Sequence, residues 1–379
     1  MSATVSGKRV ALVASYAPSL ITFRGPLIRE IAARGHRVLC LAPGLDDKMR
    51  AQLAGHGAEA GSYPLARTGL NPAEDRQSLK ALAALFRDWR PDVVMGYTPK
   101  PAIYASLAAQ EIGVPHIVPM LTGLGYAFLP GGGLKRRVVR EASRRLYRRA
   151  FKGCHGLVFH NRDDYDVLRK AGGVPTDLPV TIVDGSGIDL HAFAEQPLPP
   201  FGEGLGFLMI SRLLRNKGVI EFCKAAGELK ERAPTANWVL VGPEEGGPAG
   251  LTAAALAGLG DAVTYVGAAE DVRPYLARCH VYVLPSYGEG MPRTVLEALA
   301  TGRPVITTDA RGCRETVTDG TNGMLVQVGD IAGLADAMET FLKRPDLIPA
   351  MAKQSRRLVE ARFDVRKVNA AMLAVLGLG

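Results

Sequence analysis

Tyr287 to Asp309 reads YGEGMPRTVLEALATGRPVITTD. Two glutamates, Glu289 and Glu297, stand eight residues apart, with Gly290, Met291 and Pro292 between them and the apolar run TVLEALA behind. Pro292 suits the start of a helix, where its missing N–H leaves no bond unmade. The spacing predicts a helix over about Arg293 to Thr301, stopped by Gly302. Free N–H groups of Gly290, Met291 and the first helical turn would point at an anion. Taken singly, each glutamate reads as a solvated residue that complements the helix macrodipole. Together with the loop they describe something else: a phosphate on a helix end, flanked by carboxylates that accept sugar hydroxyls.

A second polar loop, SRLLRNKGV (Ser211 to Val219), follows the apolar run FLMIS and opens another predicted helix. Arg212 offers a planar fork and Lys217 a mobile point charge, the two cation types that neutralise a diphosphate. Such loops need a scaffold. VYVLPS and RPVITTD are short, apolar and β-branched, and they read as buried strands on either side of the glutamate loop. Strand, loop, helix, strand is a βαβ unit, and open α/β sheets bind ligands at the carboxyl ends of their strands.

The same alternation runs through the chain. RVALVAS, HRVLCLA, DVVMGY, HIVPM, GLVFH and VTIVDG are predicted strands in the first half. Helices are predicted between them, over Leu20–Arg34, Asp47–Ala54, Pro72–Trp89, Pro101–Ile112 and Arg162–Lys170, besides a strongly basic one. FLMIS, NWVLVG, VTYVG, VYVLPS and PVITT repeat the plan in the second half. Strands spaced by helices mean parallel sheets. His191 to Gly206, HAFAEQPLPPFGEGLG, carries Pro and Gly clusters without periodicity and reads as an interdomain linker. The expected organisation is an α/β chain of two Rossmann-like doubly wound domains, 1–190 and 205–360.

Composition is that of a globular protein, 47% hydrophobic and 22% charged. No run approaches the length of a membrane span, and the apolar stretch near the N-terminus is short enough to be a first strand instead of a signal peptide. Cys40, Cys154, Cys223, Cys279 and Cys313 are scattered with no C-x-x-C pair, which argues against a zinc site or a disulfide framework. The net charge of +9 is uneven: residues 1–189 hold 26 Lys and Arg against 16 Asp and Glu, and residues 190–379 hold 20 against 21. Leu134 to Lys152, LKRRVVREASRRLYRRAFK, has nine basic residues and one acidic. Leu134, Val138, Val139, Ala142, Leu146, Ala150 and Phe151 fall at helical spacing among them, an amphipathic basic helix suited to an anionic membrane or a diphosphate. A solvated face packed on the sheet is the other reading. No aromatic stacking platform accompanies it, so nucleic acid is not expected as a partner.

E-x7-E with G-x-P inside, followed by A-x-G-x-P-V-I, resembles the donor site of glycosyltransferase family 4, retaining enzymes of GT-B fold. The resemblance implies two Rossmann-like domains facing a cleft, the first for the acceptor and the second for a nucleotide sugar, with the C-terminal helix (363–378) packed back on the first. It implies a UDP-sugar as co-substrate. Glu297 would accept from ribose hydroxyls and Glu289 from the transferred sugar. The main chain of Gly290, Met291 and Pro292 would hold sugar and phosphate, Arg212 and Lys217 the diphosphate, and Gly267 and Ala268 the base. No cofactor or catalytic metal is expected, because the helix end and the two cations neutralise the leaving group. The D-x-D of Asp164 and Asp166 lies in the wrong domain for a metal site.

YTPKPAIYASLAA (Tyr97 to Ala109) and TGLGYAFLPGGG (Thr122 to Gly133) resemble a bacterial subgroup of that family acting on undecaprenyl-diphosphate-linked saccharides. This implies transfer of a hexose or N-acetylhexosamine to a lipid-linked saccharide in glycan assembly, on the cytoplasmic face of the plasma membrane. Arg24, Lys100 and Thr122 are the expected acceptor contacts, and Arg144, Arg145, Arg148 and Arg149 the contacts to membrane or diphosphate. No histidine occupies the family's usual place in the first domain, and His116 reads as a packed strand residue. The alternatives are a UDP-sugar 2-epimerase of the same fold, or a transferase with a soluble acceptor.

Overall fold

Apolar, β-branched runs pair in parallel to form two sheet systems in a computed structural model that describes residues 7–66, 71–128, 133–247 and 249–379. Part of the TGLGYAFLPGGG motif, residues 129–132, lies outside the described residues, as do residues 1–6. The chain folds as two units: residues 1–186 with 367–379, and residues 187–366.

The first unit runs β1 (Arg9–Val13), α1 (Pro18–Thr22), α2 (Gly25–Ala33), β2 (Arg37–Leu41), α3 (Asp47–Gly55), β3 (Ala58–Gly61), α4 (Pro72–Trp89), β4 (Val93–Gly96), α5 (Pro99–Glu111), β5 (His116–Ile117), β6 (Met120–Leu121), α6 (Leu134–Phe151), β7 (Leu157–Phe159), α7 (Arg162–Lys170) and β8 (Val180–Ile182). Its main sheet has the order β3-β2-β1-β4-β5, all parallel, and β6-β7-β8 form a smaller sheet. Both faces of the main sheet are buried, which is why its strands read as nearly continuous apolar runs. Val13, Leu41 and Val94 pack with Phe86, Ala105 and Phe151 on one face; Leu12, Cys40 and Met95 pack with Ile28 and Leu53 on the other.

Two expectations change here. HIVPM is two strands: Pro119 has no N–H to give a ladder, and the chain leaves the main sheet after Ile117 to join the smaller one at Met120. The helix expected over Leu20–Arg34 breaks at Phe23 and Arg24, because Pro26 cannot continue a preceding turn and instead starts α2. The β4–α5 turn carries a feature the sequence did not announce. Thr98 adopts φ 71°, ψ 161°, a region natural to glycine alone that costs a β-branched residue on the order of 1–3 kcal/mol.

The second unit runs β9 (Gly206–Ile210), α8 (Val219–Lys230), β10 (Asn237–Val241), α9 (Ala253–Ala257), β11 (Val263–Gly267), α10 (Arg273–Arg278), β12 (Val281–Leu284), α11 (Arg293–Ala300), β13 (Val305–Thr308), β14 (Gly323–Val326), α12 (Ile331–Lys343) and α13 (Leu347–Leu358). The sheet order is β11-β10-β9-β12-β13-β14, again parallel. α14 (Val365–Val375) follows a π-helical turn, and its Val368, Met372 and Leu373 pack with Val10, Leu12 and Ile28 of the first unit's core.

The segment expected to be a linker is part of the second unit. The Arg303 guanidinium is fully buried and donates to the carbonyls of Gln196 (3.2 Å) and Pro197 (2.9 Å) as well as those of Leu276 and Ala277. Gln196 N–H donates in turn to the Thr301 carbonyl at 3.2 Å. A Pro-rich chain without periodicity can be well ordered when its carbonyls satisfy a buried cation.

Candidate active site

β9 and β12 are neighbours from which the chain winds in opposite directions, to β10 and β11 on one side and to β13 and β14 on the other. That is a topological switch point, the place where open sheets bind ligands. The loop after β9 carries Arg212 and Lys217; the loop after β12 carries Glu289. The two loops touch. A Cβ on Gly218 (φ +78°) would lie 2.1 Å from the Pro285 carbonyl oxygen, so only glycine fits. The Asn216 carbonyl accepts from Tyr287 N–H (2.9 Å) and lies 3.1 Å from Ser286 Oγ.

The result is a close polar pair. Lys217 Nζ donates to Glu289 Oε1 at 2.5 Å, and Ser286 Oγ donates to the same oxygen at 2.8 Å. The pair is mostly shielded, with side chains 18% and 14% exposed. A third loop, after β13, completes the support: Glu289 N–H donates to the Arg311 carbonyl (2.8 Å), and a Cβ on Gly312 would sit 2.3 Å from the Glu289 carbonyl oxygen. Ser286, Asn216 and Gly312 were missed by sequence reasoning. Gly312 in DARGCRE lies at a strand end beside the glutamate loop, and that placement was the one available signal.

Gly290 and Met291 follow, Pro292 is the N-cap of α11, and the helix ends at Gly302 (φ +78°) as expected. Glu297 lies inside α11, only 7% exposed, and accepts from Arg293 Nε at 2.9 Å one turn earlier. Burial pushes its carboxyl above the usual range, and Arg293 offsets part of that. Gly267 (φ +84°) ends β11, and its carbonyl accepts from Gly242 N–H at 2.8 Å; Ala268 comes next. Arg212 does not join the Lys217–Glu289 pair. It is 49% exposed and donates to Glu245 Oε1 at 2.8 Å, on the loop after β10. A concavity of about 360 Å³ lined by Phe207, Val239, Thr264, Val266 and Tyr275 opens instead at the amino ends of β9 and β10, and is mainly apolar.

In the first unit Arg24 is buried, 2% exposed, instead of open to a ligand. Its Nη2 lies 2.8 Å from Met120 Sδ and 3.2 Å from His160 Nε2, with the guanidinium over the Tyr97 ring. Burial, and then the Arg24 charge, hold the His160 imidazole well below its ordinary pKa, so it stays neutral. Lys100 is paired with Asp75 at 2.9 Å, both largely buried, and Tyr104 hydrogen-bonds the same carboxylate. Thr122 is half-buried. His116 Nε2 meets the Val375 carbonyl at 2.9 Å, a packing role. Asp164 is buried as a partner of Asn161, and Asp166 pairs with Arg162 at 3.4 Å, so both carboxylates of the D-x-D are engaged at the start of α7.

α6 buries Tyr147, Ala150 and Phe151 against the core but leaves Leu134 77% and Val138 63% exposed. Arg144 and Arg145 both donate to Glu141, at 2.6 and 2.8 Å, while Arg148 and Arg149 are exposed. Among the described residues no helix is long and apolar enough to cross a membrane.

Known proteins resemble the whole chain. The glycosyl transferases group 1 model matches residues 204–344, and the glycosyl transferase 4-like domain model matches residues 22–155. The N,N'-diacetylbacillosaminyl-diphospho-undecaprenol alpha-1,3-N-acetylgalactosaminyltransferase of Campylobacter jejuni is 29% identical over 92% of this chain and 93% of its own length. An Escherichia coli UDP-Gal:alpha-D-GlcNAc-diphosphoundecaprenol alpha-1,3-galactosyltransferase is 26% identical over 85% and 82%. The fold matches that of Anabaena HepE, crystallised with UDP and glucose, with a TM-score of 0.77 at 18% identity over 98% of this chain and 99% of that one. It also matches the sucrose-phosphate synthase of Thermosynechococcus elongatus, with a TM-score of 0.78 at 18% identity over 96% and 97%. The chain belongs to the group 1, family 4 glycosyltransferases and has their GT-B fold.

Proposed function

We propose that the enzyme moves a hexose or N-acetylhexosamine from a UDP-sugar to a saccharide carried on a polyprenyl diphosphate, with retention of configuration, in surface glycan assembly. The observation that carries this is the Lys217–Glu289 pair at the switch point of the second unit, beside the amino end of α11. A cation and a carboxylate held together there suit opposite ends of one donor: Lys217 the diphosphate, Glu289 the hydroxyls of the sugar. Two relatives of nearly full length are named for acceptors on diphospho-undecaprenol, which supports the acceptor class.

In this reading the bond from the anomeric carbon to the β-phosphate oxygen breaks as an acceptor hydroxyl oxygen attacks the same face. The departing phosphate takes the acceptor's proton. Lys217, Arg212 once it leaves Glu245, and the amides at the start of α11 stabilise the charge that develops on the diphosphate. Ser286 and the Arg311 carbonyl hold Glu289 in place. Glu297 takes the ribose, and Gly267 and Ala268 the base. No metal is required in this scheme.

α6 supports work at an anionic membrane on the cytoplasmic side: Leu134 and Val138 project beside exposed arginines, the composition of an interfacial helix. The test is UDP release over a panel of UDP-sugars, with and without polyprenyl-diphosphate saccharides. Release that depends on a lipid-linked acceptor is expected. Epimerisation of the sugar without any acceptor, or transfer to soluble sugars alone, overturns the proposal.

A further inference from the structure

The first unit has a switch point of its own. β1 and β4 are neighbours, and the chain winds from β1 to β2 and β3 on one side and from β4 to β5 on the other. Ser15 stands two residues past the end of β1, and Thr98 two residues past the end of β4. Their hydroxyls meet at 2.8 Å, and both residues are only half-buried. The pair occupies the place in this sheet that Lys217 and Glu289 occupy in the other.

Thr98 is there against its backbone preference. At φ 71°, ψ 161° a glycine would be unstrained, and the same turn already uses one where geometry demands it. A Cβ on Gly96 would lie 2.2 Å from the Pro101 carbonyl oxygen. Thr98 makes no side-chain capping bond to α5. What threonine adds over glycine at this position is therefore its side chain, aimed at Ser15.

The chemistry around the pair selects the ligand. Two hydroxyls share one hydrogen bond, which leaves one O–H and several lone pairs for a partner. The neighbouring cation, Lys100, is already matched by Asp75 at 2.9 Å. Neutral donors and acceptors suit a neutral, hydroxyl-rich molecule better than a phosphate. We propose that Ser15 and Thr98 form a sugar-hydroxyl subsite that positions the acceptor saccharide, and that the strain at Thr98 is retained for it. This rests on the reading that the first unit receives the acceptor.

Four variants of the full chain test it: Thr98→Gly, Thr98→Ser, Ser15→Ala and the Ser15→Ala/Thr98→Gly pair. Thr98→Gly should unfold at no lower temperature than wild type and bind UDP equally well. Its KM for an N-acetylglucosaminyl polyprenyl diphosphate should rise about three- to tenfold, the effect of one neutral hydrogen bond. Ser15→Ala should do the same, the double variant should add little, and Thr98→Ser should stay within about twofold of wild type. Wild-type acceptor kinetics in both Thr98→Gly and Ser15→Ala overturn the subsite, and so does a drop in unfolding temperature for Thr98→Gly with unchanged KM in Ser15→Ala.

A second readout does not need turnover. In threonine-methyl-labelled protein, the signal that vanishes in Thr98→Ser reports on this position. Octyl N-acetyl-β-glucosaminide should shift it, and a signal that stays still up to the solubility limit of that glycoside overturns the proposal. If no UDP-sugar is turned over at all, the transferase reading fails by itself, and this titration still decides the subsite.

Discussion

Lys217 and Glu289 are held 2.5 Å apart across the carboxyl ends of β9 and β12, joined before any substrate arrives. In the proposed reaction the ammonium, which has three N–H donors, turns toward the donor diphosphate and the carboxylate toward the sugar. The two residues are thus coupled in opposite directions. Glu289→Gln frees Lys217, so UDP should bind as tightly as in wild type or tighter. Turnover should nevertheless fall about tenfold or more, because a charged hydrogen bond is worth roughly 1.5–3 kcal/mol. Calorimetry with UDP and initial rates check both halves. Turnover within about twofold of wild type would remove Glu289 from the reaction.

Glu297 makes two claims that can be separated. Glu297→Ala should weaken UDP by roughly tenfold or more if its carboxylate holds the ribose. Its pH behaviour concerns the free protein. Burial raises this carboxyl's pKa on folding, so the folded state is relatively favoured while the group is protonated in both states, below its unfolded value near 4.5. That advantage is lost as pH rises through the folded pKa. Glu297→Gln should therefore match wild type in thermal unfolding near pH 4 and exceed it near neutrality. Equal midpoints at every pH would mean that Arg293 fully compensates the buried charge.

For α6 the structure sharpens the choice of arginines. Arg144 and Arg145 share Glu141, so Arg148 and Arg149 should matter more to an anionic surface, at about 1 kcal/mol each. Replacing all four with Gln should keep the helix, since Gln is nearly as good a helix former as Arg. Sedimentation with anionic vesicles should fall sharply for that variant and for Leu134→Glu/Val138→Glu, while UDP affinity stays the same. Wild-type binding should fall with salt. Wild-type protein that ignores anionic vesicles at low salt leaves the arginines as a grip on the acceptor diphosphate or as a solvated face.

Activity should persist in EDTA. Full loss with EDTA, restored by Mn²⁺ or Mg²⁺, would require a metal at the diphosphate and overturn charge neutralisation by Lys217, Arg212 and the α11 amides alone.

Arg303 gives a stability prediction unconnected with catalysis. Arg303→Met would take the donor from the buried carbonyl of Leu276 and the part-buried carbonyls of Gln196, Pro197 and Ala277, and would leave a cavity where the guanidinium sits. A loss of about 3 kcal/mol is expected in denaturant unfolding. A smaller effect would mean that residues 191–206 are held mainly by other contacts.

Much of this protein was legible in the sequence because its signals are local. α4 and α11 follow from Pro at or beside the first turn, apolar spacing and, for α11, a terminal glycine. The parallel strands follow from runs such as VYVL that are buried on both faces. The glutamate loop was recognisable because its two carboxylates, its glycines and its proline are contiguous. What sequence alone left open depends on partners distant in the chain. HIVPM divides at Pro119 because two different sheets claim its ends. Arg24 was an expected acceptor contact, yet Met120, His160 and Tyr97 close over it. Arg212 and Lys217 share one motif, but Glu245 takes the first and Glu289 the second. Sequence determined which residue types stand at the strand ends. The order of the strands in each sheet decided which of them meet, because side chains dozens of residues apart become neighbours only where the winding of the chain reverses.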